Sequence, residues 1–328
     1  MTSFRSVRRQ LLAAALVLPG VLVAPATWAQ AFPTKPLRVV VPFGAGGVGD
    51  LTARIVAAEL SKSLGQPVTI DNRPGAGGVV AAETVARAEP DGHTLFLMSN
   101  GTAVTAGLFK TLPYDTVRDF TPVAILGTFD IAVLVPAESP FKTLGELVGY
   151  AKAHPDKLNL GSINIGSTQH LAAELFKSSA DMNVQVVPFN GTPALIGALR
   201  GKQVDAGVEI LAPALTHIKS GAFRALAVTG KKRSTALPDV PTAEEQGVKG
   251  FVASSWNAFA APAKTPRAVI ERLNKDINAA LANPEVQQKL RNLNIDPAGG
   301  TPEQAAELLA ADIRRWGAVI ERSGIPKQ

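Results

Sequence analysis

The sequence contains no cysteine among its 328 residues, which excludes disulfide bonds and thiolate metal sites. Histidine occurs only four times and aromatic residues make up 5% of the chain. Net charge is small once the N-terminus is set aside, because three of the 33 basic residues are Arg5, Arg8 and Arg9 and no acidic residue accompanies them. The remaining 30 basic residues nearly balance 27 acidic ones. This balance excludes the basic surface typical of nucleic-acid binding, so we expect no nucleic-acid partner.

Only one long apolar run is present, and it lies at the N-terminus. It extends from Leu11 to Ala24 after the three arginines, and the small residues of Ala29-Gln-Ala31 follow. This order is typical of a cleavable signal peptide, predicted here as residues 1–31, and the run is too short for a membrane span. We therefore expect export to the periplasm. Whether the general or the twin-arginine pathway is used stays open, since Arg8-Arg9-Gln-Leu-Leu only partly matches a twin-arginine signal.

Strand-like and helix-like segments alternate through the rest of the chain, which predicts an α/β fold with mainly parallel sheets flanked by helices. We expect two domains. The first combines residues 32–130 with 256–328, and the second comprises residues 131–255. The two crossings between them would act as a hinge, and ligand sites favour such domain interfaces.

A glycine-rich loop follows the first predicted strand and leads into a helix, at Phe43-Gly-Ala-Gly-Gly47. Glycine allows close backbone approach, and the first N–H groups of a helix lack internal acceptors, so this loop predicts an anion site. Gly44, Gly46 and Gly49 also match the G-x-G-x-x-G dinucleotide pattern, with Asp71 as a possible ribose contact. An exported dinucleotide-binding oxidoreductase is therefore an alternative. Pro42-Phe43 weaken it, because they separate the strand from the first glycine.

A similar loop occurs in the predicted second domain, where Gly161 to Thr168 precede another helix and Ser167 is a suitable N-cap. A third turn ends at Thr192, which we interpret as the cap of the next helix. Two such loops facing each other would surround a small carboxylate with backbone donors; the simpler alternative is two ordinary tight turns. The predicted ligand-binding residues are Phe43, Gly44, Ala45, Gly46, Gly47, Ser99, Asn100, Gly101, Ser162, Asn164, Gly166, Ser167, Thr168, Asn190, Gly191, Thr192 and Glu209.

Catalysis finds little support in the sequence. The loop serines Ser99, Ser162 and Ser167 do not lie in a G-x-S-x-G motif, and His170 has no candidate acid to orient it. A hydrolase is therefore a weak alternative. The histidines show no metal-ligand spacing either. We expect a protein that is not an enzyme and that uses neither cofactor nor metal.

The order and spacing of many short motifs resemble the Bug family, the periplasmic substrate-binding proteins of tripartite tricarboxylate transporters. The motifs are Val39 to Pro42, Gly46-Gly47 with Asp50, Asn72 to Gly78, Tyr114-Asp115, Gly161-Ser162 with Gly166-Ser167, Val187-Pro-Phe189, Leu237 to Thr242, and Trp256 with Ala261-Pro262. The resemblance implies a two-domain Venus-flytrap fold like that of type II periplasmic binding proteins. It also implies a carboxylate held mainly by main-chain groups of residues 43–47 and 162–168, and delivery to the transporter's membrane subunits. We expect a monomer.

Three positions depart from what the resemblance leads us to expect. Asn164 replaces a frequent glycine, Asn190 replaces a frequent Lys or Arg, and Glu209 supplies an acidic group. We therefore hypothesise a ligand with one carboxylate and an amine, amide or aromatic ring at its other end. Equally, Glu209 could be a solvated charge at the end of a strand.

Overall fold

The computed structural model describes residues 32–328, so the predicted signal peptide, residues 1–31, lies outside the described range. The strands are β1 Leu37–Val41, β2 Val68–Asn72, β3 Thr94–Ser99, β4 Phe120–Pro136, β5 Asn159–Ile163, β6 Gln185–Phe189, β7 Ala206–Ile210, β8 Phe223–Val228, β9 Ser254–Pro262 and β10 Asp296–Gly299. The helices are α1 Val48–Leu64, α2 Val79–Ala86, α3 Asn100–Leu108, α4 Leu144–Ala153, α5 Thr168–Ser179, α6 Thr192–Arg200, α7 Leu211–Lys219, α8 Arg267–Ala282, α9 Pro284–Asn292 and α10 Pro302–Arg322. No helix in this range has both the length and the apolar character that crossing a membrane requires.

The strands form two sheets that share β4. The first sheet contains β1, β2, β3, β9, β10 and the beginning of β4; the second contains β5 to β8 and the end of β4. β1 runs parallel to β2 and β3, and β5 runs parallel to β6 and β7, whereas β4 and β9 pair with their neighbours antiparallel. Both sheets are therefore mixed. The expectation of mainly parallel sheets was wrong because the chain passes between them along β4 and returns along β9, in the opposite direction.

β4 exchanges its partners in mid-strand. Its residues up to Asp130 pair with β9, and its residues from Ile131 onward pair with β7 and β8. Most of this 17-residue strand is buried, which fits its position at the centre of the sheet order.

Helices cover the sheets with apolar faces. α1 and α8 bury Leu60 and Leu273 against the first sheet, while α6 buries Leu199 against the second. A further cluster, to which α3, α5 and α10 contribute, joins the two sheets through side chains such as Phe176 and Trp316. Burial of each large apolar side chain contributes about 1.5–3 kcal/mol to the free energy of folding.

The order of the elements gathers helix N-termini at one place. Five strands lead directly into helices: β1 into α1, β3 into α3, β5 into α5, β6 into α6 and β7 into α7. β2 leads into α2 through a short 3₁₀ turn at Ala76–Gly78. Ligands in open α/β sheets bind beyond the carboxyl ends of parallel strands, where these helices begin.

Candidate anion-binding cavity

The two glycine loops have the same turn geometry. In the first, the Gly47 N–H donates to the Gly44 carbonyl at 3.5 Å, and in the second the Ser167 N–H donates to the Asn164 carbonyl at 2.9 Å. The third residue of each turn is a glycine with φ of 82°, Gly46 and Gly166 respectively. A positive φ at that position is the requirement of a type II turn, which explains the two glycines. Each turn ends at an extended N-cap residue, so both loops direct the chain into a helix in the same way.

The first loop is held by the carboxylate of Asp50, which is 1% exposed. Asp50 accepts hydrogen bonds from the Gly46 N–H at 2.8 Å, from Arg54 Nε at 2.9 Å and from Asn72 Nδ2 at 2.8 Å. Asn72 Nδ2 also donates to the Phe43 carbonyl at 2.9 Å. Burial by itself raises the pKa of Asp50, but the hydrogen bonds from Arg54, the Gly46 N–H and Asn72 outweigh it and lower the pKa below its ordinary value. Asp50 therefore stays ionised and fixes the loop.

The second loop is held by Ser167, the N-cap of α5. Its hydroxyl oxygen accepts from the His170 N–H at 3.0 Å and donates to the Ile163 carbonyl at 2.9 Å. The predicted N-cap role of Ser167 is confirmed. Across the loop, Asn164 Nδ2 donates to Asn190 Oδ1 at 3.3 Å, which connects the second loop to the turn before α6.

A cavity of about 710 Å³ lies between the two loops. The N-terminal ends of six helices reach it: Gly47 and Val48 of α1, Gly78 before α2, Ser99 before α3, Ser167 and Thr168 of α5, Thr192 of α6, and Ile210 before α7. No side chain caps α1, α2, α6 or α7. Their first N–H groups therefore have no side-chain acceptor, although Pro193 in α6 and Pro213 in α7 carry no N–H, and the dipoles of the helices favour a negative charge there.

The cavity obtains this positive character without basic side chains. Among the described residues that line it, Tyr114 is the only one with an ionisable side chain. Burial, together with the nearby Glu83 carboxylate, raises the pKa of Tyr114 to about 12, so it is neutral at physiological pH. The rest of the lining is apolar or carries hydroxyl and amide groups. An anion in the cavity would be recognised by backbone N–H groups, helix dipoles and neutral hydroxyl and amide donors.

Most of the predicted site residues line this cavity, and some do not. Those that do are Phe43, Gly44, Gly47, Ser99, Gly101, Asn164, Gly166, Ser167, Thr168, Asn190 and Thr192. The lining does not include Ala45, Gly46, Asn100, Ser162, Gly191 or Glu209. Ala45 and Gly46 are exposed in the first turn, and Ser162 is fully buried. Gly191, with φ of 85°, is the N-cap of α6, which corrects the assignment of that cap to Thr192; Thr192 is the first helical residue.

Asn100 does not line the cavity and instead forms buried hydrogen bonds. Its Nδ2 donates to Asp312 Oδ2 at 2.9 Å, and Trp256 Nε1 donates to the same oxygen at 2.7 Å. Thr168 donates its hydroxyl to Asn100 Oδ1 at 3.3 Å. Since Asp312 lies on α10 and Thr168 begins α5, this chain of hydrogen bonds connects the starts of α3 and α5, one from each sheet.

Glu209 is neither solvated nor part of the lining; it is 0% exposed behind the cavity wall. Its Oε1 accepts from Gln169 Nε2 and from the Ile210 N–H, both at 2.7 Å. Burial raises the pKa of Glu209, although the hydrogen bonds from Gln169 and the Ile210 N–H and the nearby Thr192 hydroxyl oppose the shift. The sequence suggested either a ligand contact or a solvated charge at the end of a strand, and the buried position of Glu209 differs from both.

The structure also adds lining residues that were not predicted. They include the turn Pro74, Gly75, Gly77 and Gly78, the apolar side chains Phe96, Phe129, Ile163, Ile165 and Ile210, and the amides Gln169 and Asn257. The glycine-rich turn after β2 was a usable signal, because it resembles the other two loops. Asn257 gave no signal, since it lies within a strand far along the chain.

The features suggested for a dinucleotide site have other partners here. The Gly46 N–H, which a pyrophosphate would need, already donates to Asp50. Asp71 forms ion pairs with Arg73 at 2.9 Å and with Arg38 at 3.7 Å. His170, the candidate base of a hydrolase, is 6% exposed, and burial lowers its pKa to about 4. Within residues 32–328, no cluster of three or more potential metal ligands is found.

Comparison with known proteins gives a consistent set of similarities. Residues 52–325 match the family TctC, described as the tripartite tricarboxylate transporter family receptor. The Protein BugT of Bordetella pertussis is 35% identical over 298 residues, which covers 90% of this chain and 91% of BugT. Two solved structures from Rhodopseudomonas palustris are also similar. Rpa4515 with adipate is 35% identical with a TM-score of 0.81, covering 90% of this chain and 99% of that one. MatC with bound malate is 36% identical with a TM-score of 0.78, covering 88% and 100%.

Proposed function

Because the chain belongs to the family of tripartite tricarboxylate transporter receptors, whose members are periplasmic solute-binding proteins and not enzymes, we propose that it captures a small carboxylate in the cavity between its two glycine loops. The observation that carries this proposal is the convergence of six helix N-termini on a cavity whose lining has no charged side chain. Such a site suits a carboxylate, which accepts several N–H hydrogen bonds at once.

The arrangement of the two sheets supports a Venus-flytrap mechanism. In this proposal residues 32–130 and 256–328 form one lobe, residues 131–255 form the other, and the lobes close over the ligand. The exchange of partners by β4 between Asp130 and Ile131 supports this division, as does the position of β9 beside it. Phe43 and Ile165 support closure too, since each is an exposed apolar side chain on one of the two loops. Closing would bury both.

The structures of two relatives contain carboxylates, adipate in Rpa4515 and malate in MatC. By analogy we propose that this protein works in the periplasm as a monomer and delivers its ligand to the membrane subunits of a tripartite transporter. The ligand would be held mainly by the loops 43–47 and 162–168, with contributions from 99–101 and 190–192.

The test is to purify the exported protein without denaturation and record native mass spectra, followed by calorimetry with a panel of carboxylates and their uncharged amide analogues. We expect a small carboxylate either trapped or bound on addition, and no binding of its amide analogue. Binding of a nicotinamide dinucleotide, or of none of the carboxylates, would refute the proposal.

A further inference from the structure

Asn72 is the last residue of β2 and lies directly before a turn of which four residues line the cavity. Asn72 itself is not a lining residue. β2 pairs with β1 up to this point, where Asn72 lies opposite Val41. Its side chain therefore reaches the first glycine loop, which begins just beyond the end of β1, from outside the cavity.

The side-chain amide of Asn72 has partners for both of its N–H groups. Nδ2 donates to the Phe43 carbonyl at 2.9 Å and to Asp50 Oδ1 at 2.8 Å. Asn72 Oδ1 accepts from Arg54 Nη2 at 3.0 Å. The reversed amide would place an oxygen against two acceptors and an NH₂ group against a guanidinium, which can only donate. The orientation of the amide is therefore unique.

The hydrogen bond from Asn72 fixes the direction of the peptide group between Phe43 and Gly44. This peptide is trans, because the only cis bond within residues 32–328 is Phe32-Pro33. In a planar trans peptide the carbonyl and the N–H point in opposite directions, so the Gly44 N–H points away from Asn72. Within the same range the Gly44 N–H has no hydrogen-bond acceptor, and both Phe43 and Gly44 line the cavity.

Packing restrains the same segment on two further sides. A Cβ at Gly78 would lie 3.1 Å from Pro42 Cβ, so the end of the turn contacts the residue before Phe43. A Cβ at Gly49 would lie 2.6 Å from Phe43 Cδ2, so the ring packs against the start of α1. Residues 42–43 are thus held between this turn and α1, and Asn72 directs the carbonyl.

We propose that Asn72 is a positioning residue for ligand binding: it holds the Phe43 carbonyl outside the cavity and thereby directs the Gly44 N–H at a carboxylate inside it. Asn72 does not touch the ligand. The proposal rests on the proposed function and deepens it, because it assigns one donor of the first loop and the residue that aims it. It also gives a role to the first residue of the sequence motif Asn72 to Gly78.

The peptide group in question can be observed alone. Phe43-Gly44 is the only Phe-Gly pair in the sequence. Full-length mature protein labelled with ¹³C at the carbonyl of Phe and with ¹⁵N in Gly therefore gives a single signal in a spectrum that correlates carbonyl carbons with amide protons. The probes are acetate, hexanoate, malate and adipate, added to the ligand-free protein.

Two variants of Asn72 are compared with a matched control. Asn72→Ser removes the amide without adding a charge, and Asn72→Asp keeps the size but places acceptors against Asp50 and the Phe43 carbonyl. The control is Asn183→Asp, since Asn183 Nδ2 donates to Asp156 Oδ2 at 3.1 Å and neither residue lines the cavity. Both Asp variants thus bring two carboxylates together, but only one does so beside the first loop. Calorimetry gives the dissociation constants, and urea denaturation shows that each variant is folded.

In the unmodified protein we expect the Gly44 amide proton to move downfield when a carboxylate binds. Asn72→Ser should bind the same carboxylates about tenfold more weakly, the effect of one hydrogen bond, and Asn72→Asp at least as weakly. In both variants the downfield movement at saturation should shrink, because the N–H is no longer aimed at the ligand. Asn183→Asp should leave the dissociation constants and the Gly44 signal unchanged.

A Gly44 proton that does not move in the unmodified protein would overturn the inference, even if both Asn72 variants failed to fold. An unchanged dissociation constant in folded Asn72→Ser would also overturn it, since Asn72 would then act on stability alone. An equal loss of affinity in Asn183→Asp would have the same consequence. Each of these results leaves carboxylate binding intact, whereas binding of none of the carboxylates would refute the proposed function and this inference together.

Discussion

The two turn glycines permit a matched test of how the second loop contacts the rest of the molecule. Gly46 and Gly166 have the same φ of 82° but different surroundings. A Cβ at position 46 would meet nothing within 4 Å, whereas a Cβ at position 166 would lie 2.4 Å from Leu108 Cδ2. Leu108 is the last residue of α3 and is 2% exposed, so it has little room to move away. The substitutions Gly46→Ala and Gly166→Ala therefore share a backbone cost and differ in a steric one.

The backbone cost of a left-handed conformation is about 1–2 kcal/mol for a residue with a Cβ. The entropy that alanine removes from the unfolded chain is similar at both sites and cancels in the comparison. Overpacking against a buried side chain adds about 1–3 kcal/mol at position 166 only. We expect the free energy of unfolding to fall by about 1–2 kcal/mol in Gly46→Ala and by about 2–5 kcal/mol in Gly166→Ala.

The assay is urea denaturation of the ligand-free protein, completed by a double-mutant cycle with Leu108→Ala. Removing the leucine side chain destabilises by itself, by about 2–5 kcal/mol, but it makes space for the new Cβ. In that background Gly166→Ala should cost no more than Gly46→Ala does, which is a coupling of about 1–3 kcal/mol. Equal costs for the two glycines, or a zero coupling with Leu108, would show that the loop does not pack against α3 as described.

Three further outcomes are expected. Burial lowers the pKa of His170 from 6.5 to about 4, so His170 takes up a proton at a higher pH in the unfolded chain than in the folded protein. The free energy of unfolding therefore falls as the pH drops below 6.5. Between about pH 7 and about pH 5, the free energy of unfolding should fall by about 2 kcal/mol more in the unmodified protein than in His170→Gln. The same pH dependence of urea denaturation in both proteins would contradict this. Gly49→Ala should weaken carboxylate binding with little loss of stability, because the new Cβ would lie 2.6 Å from the Phe43 ring and displace the first loop; unchanged affinity in calorimetry would argue against it. Thr301→Ala should lower the unfolding free energy by about 1 kcal/mol by removing the cap of α10, and Thr301→Ser should restore it; thermal unfolding distinguishes them.

Local sequence was sufficient for the two loops. The glycine and N-cap positions of both turns are dictated by φ and by the unpaired N–H groups of the following helices, and these requirements involve only neighbours along the chain. The caps of α4 and α10 depend on the same local chemistry, because the hydroxyls of Thr143 and Thr301 accept the N–H groups of Glu146 and Gln304, three positions further on. The turn geometry of both loops could thus be predicted, while anion binding by them and the specific ligand contacts stay predictions.

Whether neighbouring strands run parallel or antiparallel could not be predicted from local sequence. The strands β1 and β5 have the composition of buried parallel strands, and their parallel neighbours agree with it. β9 carries no sequence feature that distinguishes its antiparallel direction, which follows from where the chain returns to the first sheet. Mixed pairing therefore emerged only from the path of the whole chain.

By itself the sequence determined an α/β chain whose glycine turns lead into helix N-termini, because turn and cap chemistry acts over a few residues. The tertiary structure decided that six such termini meet at one cavity, and that Glu209 lies buried behind Gln169. It also brought Gln169 to Glu209 and Asn257 to Thr52 as hydrogen-bond partners. Those outcomes depend on hydrogen-bond partners that only the folded chain brings within 3.5 Å of each other, as between Asn257 and Thr52 at 3.3 Å.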